Sequence, residues 1–406
     1  MSVEVHNLQR IALTKETSAN FGVDLTGSAT YLDLPFREGT ATVALNEPNL
    51  DPETVQQRLY AVPQGVLGPR QAVVTLTCNL ASTGVPAGDG VDSVAETGAA
   101  LQQLLAICFG GINDVNTGTT FATAADASNF TLTDGADFVD GQAIGWVGAR
   151  IFELHELADT ASVLKQAFSA TPTASDVAYA ATTIFPTSTP TDSVQLIVEG
   201  FASHNRWLLT GGQMTSPPVI TRENGQIPTI QFTLTFAEWA SLPAQAITPA
   251  TYANHDPMSV VGEFRINAGG TAERVLYDAT NVAYNLQAPV FAPITSGSGI
   301  NTIGCWAAQR VPGGLGTIEF SIPYEDNTWV TRQKARAYVG FQDQMGVTPG
   351  QTVVLSFPRC QVWDWNLEDV NGFAYQRITL RPTDDSFTIG GGTSELVLAA
   401  MRMHFA

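Results

Sequence analysis

The stretch Val74-Thr-Leu-Thr-Cys-Asn-Leu80 sets an apolar side chain at every second position, Val74, Leu76, Cys78 and Leu80, with Thr75, Thr77 and Asn79 between them. Successive side chains of an extended chain point to opposite faces, so this is a strand with one face in a core and one in water. Ile230, Phe232, Leu234 and Phe236 alternate in the same way, as do Ile318, Phe320 and Ile322, and near the end Met401, Met403 and Phe405 alternate with Arg402 and His404. The chain therefore reads as mainly β.

Helical spacing interrupts this pattern twice. Ser93 and Glu96 form a capping-box pair, Leu101, Leu104, Leu105 and Cys108 follow on one helical face, and Gly110-Gly111 ends the run. A second helix is expected from about Asn327 to Gly340, with Val330, Ala337, Tyr338 and Phe341 on its apolar side and Arg332 and Arg336 as an i, i+4 basic stripe.

The order of these features repeats. Glycines lead into the strand at Val74 (Gly65, Gly68) and into the strand at Ile318 (Gly313, Gly314, Gly316), and a helix follows each strand. Asn224-Gly225 then precedes Ile230 as Asn371-Gly372 precedes Tyr375–Arg381; Asn-Gly is the strongest short hairpin signal. The strands are offset by 244 residues and the Asn-Gly pairs by 147, so the first copy holds 97 residues that the second lacks. Those extra residues fall in 112–193, a Thr/Ala/Asp-rich stretch with ten acids against Arg150 and Lys165, and strands are expected there at 129–133 and 143–154. The organisation expected is a discontinuous first domain (1–111 and 194–245), an inserted acidic β module (112–193), a Pro-bearing linker (246–257) and a second domain (258–406).

Composition narrows the function. Charged residues are 14% of the 406, mean hydropathy is +0.06, and net charge is −19. A protein that holds nucleic acid by its phosphates needs a basic footprint. Here Lys15, Lys165 and Lys334 are the only lysines, and none stands in a Gly-Lys-Ser/Thr loop. The acidic balance also disfavours an anionic membrane surface. No run long and apolar enough for a spanning helix occurs, and Met1–Glu16 lacks the apolar core of a secretory signal. Cys78, Cys108, Cys305 and Cys360 stand singly, as buried free thiols do, which fits assembly in a reducing cytoplasm.

Catalytic motifs are weak throughout. Glu153, His155 and Glu156 do not converge on a strand, because Glu156 faces away from the other two. Neither HExxH nor HxH occurs, Gly297-Ser298-Gly299 is not a nucleophile elbow, and Gly313-Gly314-Leu315-Gly316 leads into a strand rather than a helix. No catalytic, cofactor-binding or metal-ligating residue is nominated, and no cofactor is expected. Trp363 and Trp365, two apart on an extended run, stand on one face, as a sugar-stacking platform or as a core or subunit contact.

Four stretches together resemble the major tail tube proteins of long-tailed (siphovirus-type) bacteriophages. They are Ile11-Ala-Leu-Thr-Lys-Glu-Thr-Ser-Ala-Asn-Phe-Gly22, the helix at 95–109 after a long strand, the module from Asn129 to Phe185 with Phe138-Val-Asp-Gly141, and the closing strands. The last comprise Trp207-Leu-Leu-Thr-Gly-Gly212, Glu223-Asn-Gly225 and Ile230 to Trp239, with Gly211-Gly212 where the family usually has Gly-Cys. The resemblance implies duplicated tail-tube-type β-sandwich or barrel domains with a flanking helix each, plus the small inserted module on the tube exterior. It implies a virion structural protein without enzymatic activity, assembled in the host cytoplasm and located in the tail. Its partners are then copies of itself in stacked rings, hexameric or, with two tube domains per chain, trimeric and pseudo-hexameric. Tape measure, terminator and baseplate proteins are the further partners, and DNA passes through the lumen without specific binding. The alternatives are a carbohydrate-binding or adhesive β protein using Trp363 and Trp365, another tail component or capsid decoration protein, and an acidic β-rich hydrolase.

Overall fold

The computed structural model describes residues 2–5, 8–17, 22–47, 49–50, 66–67, 70–80, 100–113, 118–124, 129–134, 141–146, 153–157, 161–164, 171–187, 192–200, 206–222, 226–243, 262–267, 273–275, 279–286, 290–293, 306–309, 316–346, 352–383 and 399–405. The chain is mainly β, with helices at Ala100–Phe109 and Thr328–Lys334 and antiparallel strands elsewhere.

The strand at Val74 runs Gln71–Asn79 and buries Ala72, Val74, Leu76 and Cys78 on one face. It lies between Thr42–Asn46 and Thr229–Phe236, with Phe232 opposite Leu76. Thr229–Phe236 passes to Arg206–Met214 at Leu234↔Met214, and Arg206–Met214 pairs Ser193–Gly200, which pairs Leu8–Glu16, which pairs Leu32–Asp33.

The second half repeats this course pair for pair. Gly316–Pro323 lies between Thr280–Leu286 and Phe373–Pro382; the latter pairs Val353–Val370, which pairs Tyr338–Met345, then Gly262–Asn267, then Glu273–Val275. The registers agree as well. Val43↔Val74↔Leu234↔Met214 in the first half corresponds to Tyr284↔Ile318↔Leu380↔Val362 in the second. A register shift falls between Val194 and Leu196 and, in the matching place, between Val339 and Phe341. By these registers Val198 matches Asp343, and Ile220 matches Leu367. One continuous set of buried apolar residues runs through both halves, from Ile11 and Phe232 to Phe320 and Ile378.

At the register shift the first-half strand changes sheets. Arg206–Thr210 pairs Glu238–Leu242, while Gln213 and Met214 pair Thr235 and Leu234. Gly211 takes φ 65, and a Cβ on Gly212 would lie 2.2 Å from Phe236 Cε1, so the crossing requires both glycines.

In the first half, 110–192 separate the helix from the next strand; in the second, 335–337 do. Much of the longer connection is a closed six-strand antiparallel barrel of Gly118–Ala124, Asn129–Leu132, Ala161–Leu164, Glu153–Leu157, Ala143–Trp146 and Val177–Ala180. Phe121 and Phe130 meet edge to face inside it at 5.0 Å. The barrel is narrower than the 112–193 expected. Thr182–Pro186 belongs to the main sheet, between Gly110–Asn113 and the C-terminal strand Arg402–Phe405.

Several expectations are corrected in detail. The expected strand at 143–154 is two, Ala143–Trp146 and Glu153–Leu157, paired to each other. The second helix ends at Lys334 rather than near 340 and buries Trp329, not Val330. Tyr338-Val-Gly-Phe341 prefers the sheet, where Val339 and Phe341 face the core. Arg336, at φ 50, lies beyond the helix, so the basic stripe does not form; Arg332 stacks over Trp329 at 4.8 Å. Arg402 and His404 are buried like their neighbours, because their strand is flanked by Val353–Ser356 on one side and Thr182–Ile184 on the other. The Ser93–Glu96 capping pair, Asn224-Gly225, Gly297–Gly299, Cys305 and the whole 246–257 linker lie outside the described residues.

Candidate assembly interface

The halves meet edge to edge. Val219–Thr221 pairs Thr229–Gln231 on one side and reaches into the second half on the other, with Ile220↔Tyr284 and Thr221↔Ala283. One antiparallel sheet thereby runs from Ser2–Val5 across the first half, through this junction, to Val353–Val370. Ile220 is 3% exposed.

Buried ionic chemistry accompanies the junction. Arg222 extends from the first half and donates to Asp343 Oδ1 in the core of the second, and the Tyr284 hydroxyl donates to Asp343 Oδ2. The Arg222 guanidinium lies 4.0 Å from the Phe264 ring centroid, and Tyr284 stacks on Phe357 at 6.2 Å. Burial raises the Asp343 carboxyl above its ordinary range, against the pull of Arg222. The Tyr284 phenol is pushed well up, first by burial and then by the charge of Asp343. Such a pair adds little net stability over an apolar contact, but losing one partner strands a charge in the core. It works as a lock that holds this half against that one.

A second buried carboxylate organises the first half. Glu16 accepts from Ser193 Oγ at 2.6 Å, Gln195 Nε2 at 2.9 Å and the Gly211 amide at 2.8 Å. Burial raises its pKa, and these donors oppose the rise. Gln195 also donates to the Val23 carbonyl at 2.8 Å and accepts from the Leu25 amide at 3.0 Å and from Tyr31, tying 23–31 to the sheet. Every contact serves the fold.

The tryptophan pair is divided by a bulge. Val362 pairs Leu380 and Asp364 pairs Thr379, so Trp363 is the extra residue and the alternation inverts there. Trp363 faces water, 53% exposed, with Arg381 4.9 Å over its ring. Trp365 packs on the core and donates Nε1–H to Gln376 Oε1 at 3.0 Å. The pair does not form a platform on one face. His155 sits on the strand Glu153–Leu157, opposite Leu164. Among the described residues no three His, Cys, Asp or Glu side chains are placed to hold a metal ion, and no helix is long and apolar enough to cross a membrane. Burial raises the Cys78 thiol and pushes that of Cys108 up to about 12.

Beyond the bulge, the second half ends in an exposed arm. Asn366–Val370 and Phe373–Arg377 are joined by Asn371-Gly372, whose φ values of 54 and 86 are those of a type I′ turn. Leu367 is 57% and Phe373 70% exposed. Sequence reasoning overlooked Leu367, Ile220, Arg222 and Asp343. The 147-residue offset of the Asn-Gly pairs does carry Ile220 onto Leu367, and was the available signal.

No protein-family model matches the chain, and no curated protein is detectably similar. Among solved structures, two of MrkH from K. pneumonia align: the apo state (7% identity, 59% of this chain and 78% of that one, TM-score 0.14) and a P2(1) crystal form (7%, 59% and 77%, 0.14). A score of that size identifies no shared fold.

Proposed function

We propose that the chain is a tail tube subunit of a long-tailed bacteriophage, a virion protein that closes into rings through its sheet edges and stacks them into the conduit for DNA. The observation that carries this reading is the edge-to-edge junction at Ile220↔Tyr284, which joins two halves of identical strand order. A junction that adds one copy to the next inside a chain also adds one chain to the next, and a fixed rotation per copy closes a ring. On this reading the halves are two tube domains, and three chains supply a six-fold wall. Ring closure also removes the open sheet edges that otherwise template aggregation. A balance of −19 with three lysines suits a channel that DNA must traverse without being held by its phosphates. The inserted barrel stands on a two-strand neck and decorates the wall.

The test is electron microscopy of the purified chain combined with light scattering. Hollow rings or tubes with the mass of three chains per ring are expected. Six chains per ring would leave the tube reading intact and overturn the two-domain count, whereas a monomer that never assembles would overturn the reading itself.

A further inference from the structure

The internal junction specifies which edges meet. Ile220 of the first half pairs Tyr284, and the matching positions are Leu367 at the second half's end of the sheet and Val43 at the first half's end. Leu367 is 57% exposed where Ile220 is 3%. Among the described residues no strand pairs the outer edge of Leu367–Asp369. The other half of the contact is occupied. The outer edge of Thr42–Asn46 carries the N-terminal strand Ser2–Val5, antiparallel, with Val5 opposite Val43. Val5 thus holds, by register and direction, the place that Ile220 holds opposite Tyr284. In the second half that place is filled by Val219–Thr221.

We propose that Ser2–Val5 is a stand-in strand: it caps the Thr42–Asn46 edge of the free chain and is displaced by the Leu367–Asp369 segment of a second copy when the ring closes. The proposal rests on the ring reading above and adds the two surfaces and the event between them. A bare edge is a hazard in a free subunit, and a short strand covers it. Exchange keeps main-chain hydrogen bonding while moving Leu367 from water onto Val43, as Ile220 already sits against Tyr284. Copies are added one way only, since each arm finds one edge per neighbour.

The experiment uses the full chain with Cys305→Ser, leaving the buried Cys78, Cys108 and Cys360 in place. Glu4→Cys with Ala44→Cys, directly opposite in the free chain, clamps the stand-in strand under mild oxidation. The clamped chain is expected to stay monomeric and to form rings once reduced. Thr42→Cys with Glu368→Cys, matching Ala283 and Thr221, is expected to give chain-to-chain disulfides in assembled rings and none in monomer. Leu367→Asp, at an exposed site, is expected to abolish rings with an unchanged melting curve. Clamped chains that assemble like wild type, or rings that never cross-link at Thr42 and Glu368, would overturn the exchange while the ring reading stands. Wild type that forms no ring would overturn both.

Discussion

The two halves share eight strands and a helix in one order, yet part company at three matched places. Between helix and next strand, the first half carries a whole barrel where the second has 335–337. In the core, Val198 of the first half matches Asp343 of the second. At the helix end, Gly110 of the first half takes a left-handed φ of 92 and Arg336 of the second one of 50. The frame tolerates the first difference because Gly110–Asn113 and Thr182–Pro186 pair with each other, so the insertion leaves and re-enters at adjacent points. The common strand order is thus set by the shared apolar face, and the differences mark where each half has a separate task.

The largest effect is expected where the halves are alike. Phe232 and its match Ile378 are both fully buried in one continuous core. Phe232→Asp and Ile378→Asp each bury an unpaired carboxylate and should cost roughly 5 kcal/mol or more, enough to abolish cooperative unfolding measured by circular dichroism. If either variant melts with one half's transition retained, the halves fold independently and the shared core is not cooperative.

The Val198/Asp343 difference gives the next effect. Arg222→Met should destabilise by about 3–5 kcal/mol, since Asp343 is left charged and buried. Removing all three polar partners together, with Arg222→Met, Asp343→Val and Tyr284→Phe, should bring stability back to within about 1 kcal/mol of wild type, because a matched apolar cluster replaces a fully removed ion pair well. Urea midpoints decide it. A triple variant as unstable as the single one would mean that the aromatic cage does not close over apolar side chains.

The C-terminal strand Arg402–Phe405 pairs Val353–Ser356 as Glu238–Leu242 pairs Arg206–Thr210 in the first half, and it also joins the barrel's neck to the second half. Its His404 lies against Thr183 with Nδ1 at 2.8 Å from the hydroxyl, and burial together with Arg402 lowers its pKa to about 3. The unfolded histidine takes up a proton below pH 6.5 and the folded one does not until about pH 3, so stability is lost as pH falls through that window. The slope expected from this group is about 1.4 kcal/mol per pH unit. Burial of Glu16 and Asp343 acts with the opposite sign, since their raised pKa values favour the folded state as the pH falls. The readout is therefore the difference between wild type and His404→Gln, measured by urea unfolding from pH 7 to pH 4.5. Parallel curves would mean that His404 is not buried in its neutral form.

The strands at Val74, Ile230 and Ile318 were legible because each buries one face, so period two in the sequence is period two in space. The Asn371-Gly372 turn was legible for a local reason too: both residues accept a left-handed backbone. The tryptophan pair was not, because one extra residue at Trp363 inverts the faces and alternation carries no mark of a bulge. Arg402 and His404 look like the wet face of a strand until two neighbours close over them, and that closure is contributed by residues far away in the chain. Arg222 and Asp343 are 121 residues apart. Nothing local in either segment announces the other.

The smallest effect tests the helix ends. In the second half the Arg336 amide donates to the Gln333 carbonyl at 2.9 Å and the Ala337 amide to the Arg332 carbonyl at 2.9 Å. This is the paired closure in which the residue after the cap turns left-handed, a position glycine fills without strain; in the first half the residue that follows the helix, Gly110, is left-handed as well. Arg336 adopts the same turn with a side chain, at a conformational cost. Arg336→Gly should therefore stabilise the chain by about 1 kcal/mol, less what the freer unfolded glycine returns. Gly110→Ala should destabilise by about the same amount. Opposite shifts of the two urea midpoints are the expected result. A loss of stability in Arg336→Gly would show that the arginine side chain holds the turn.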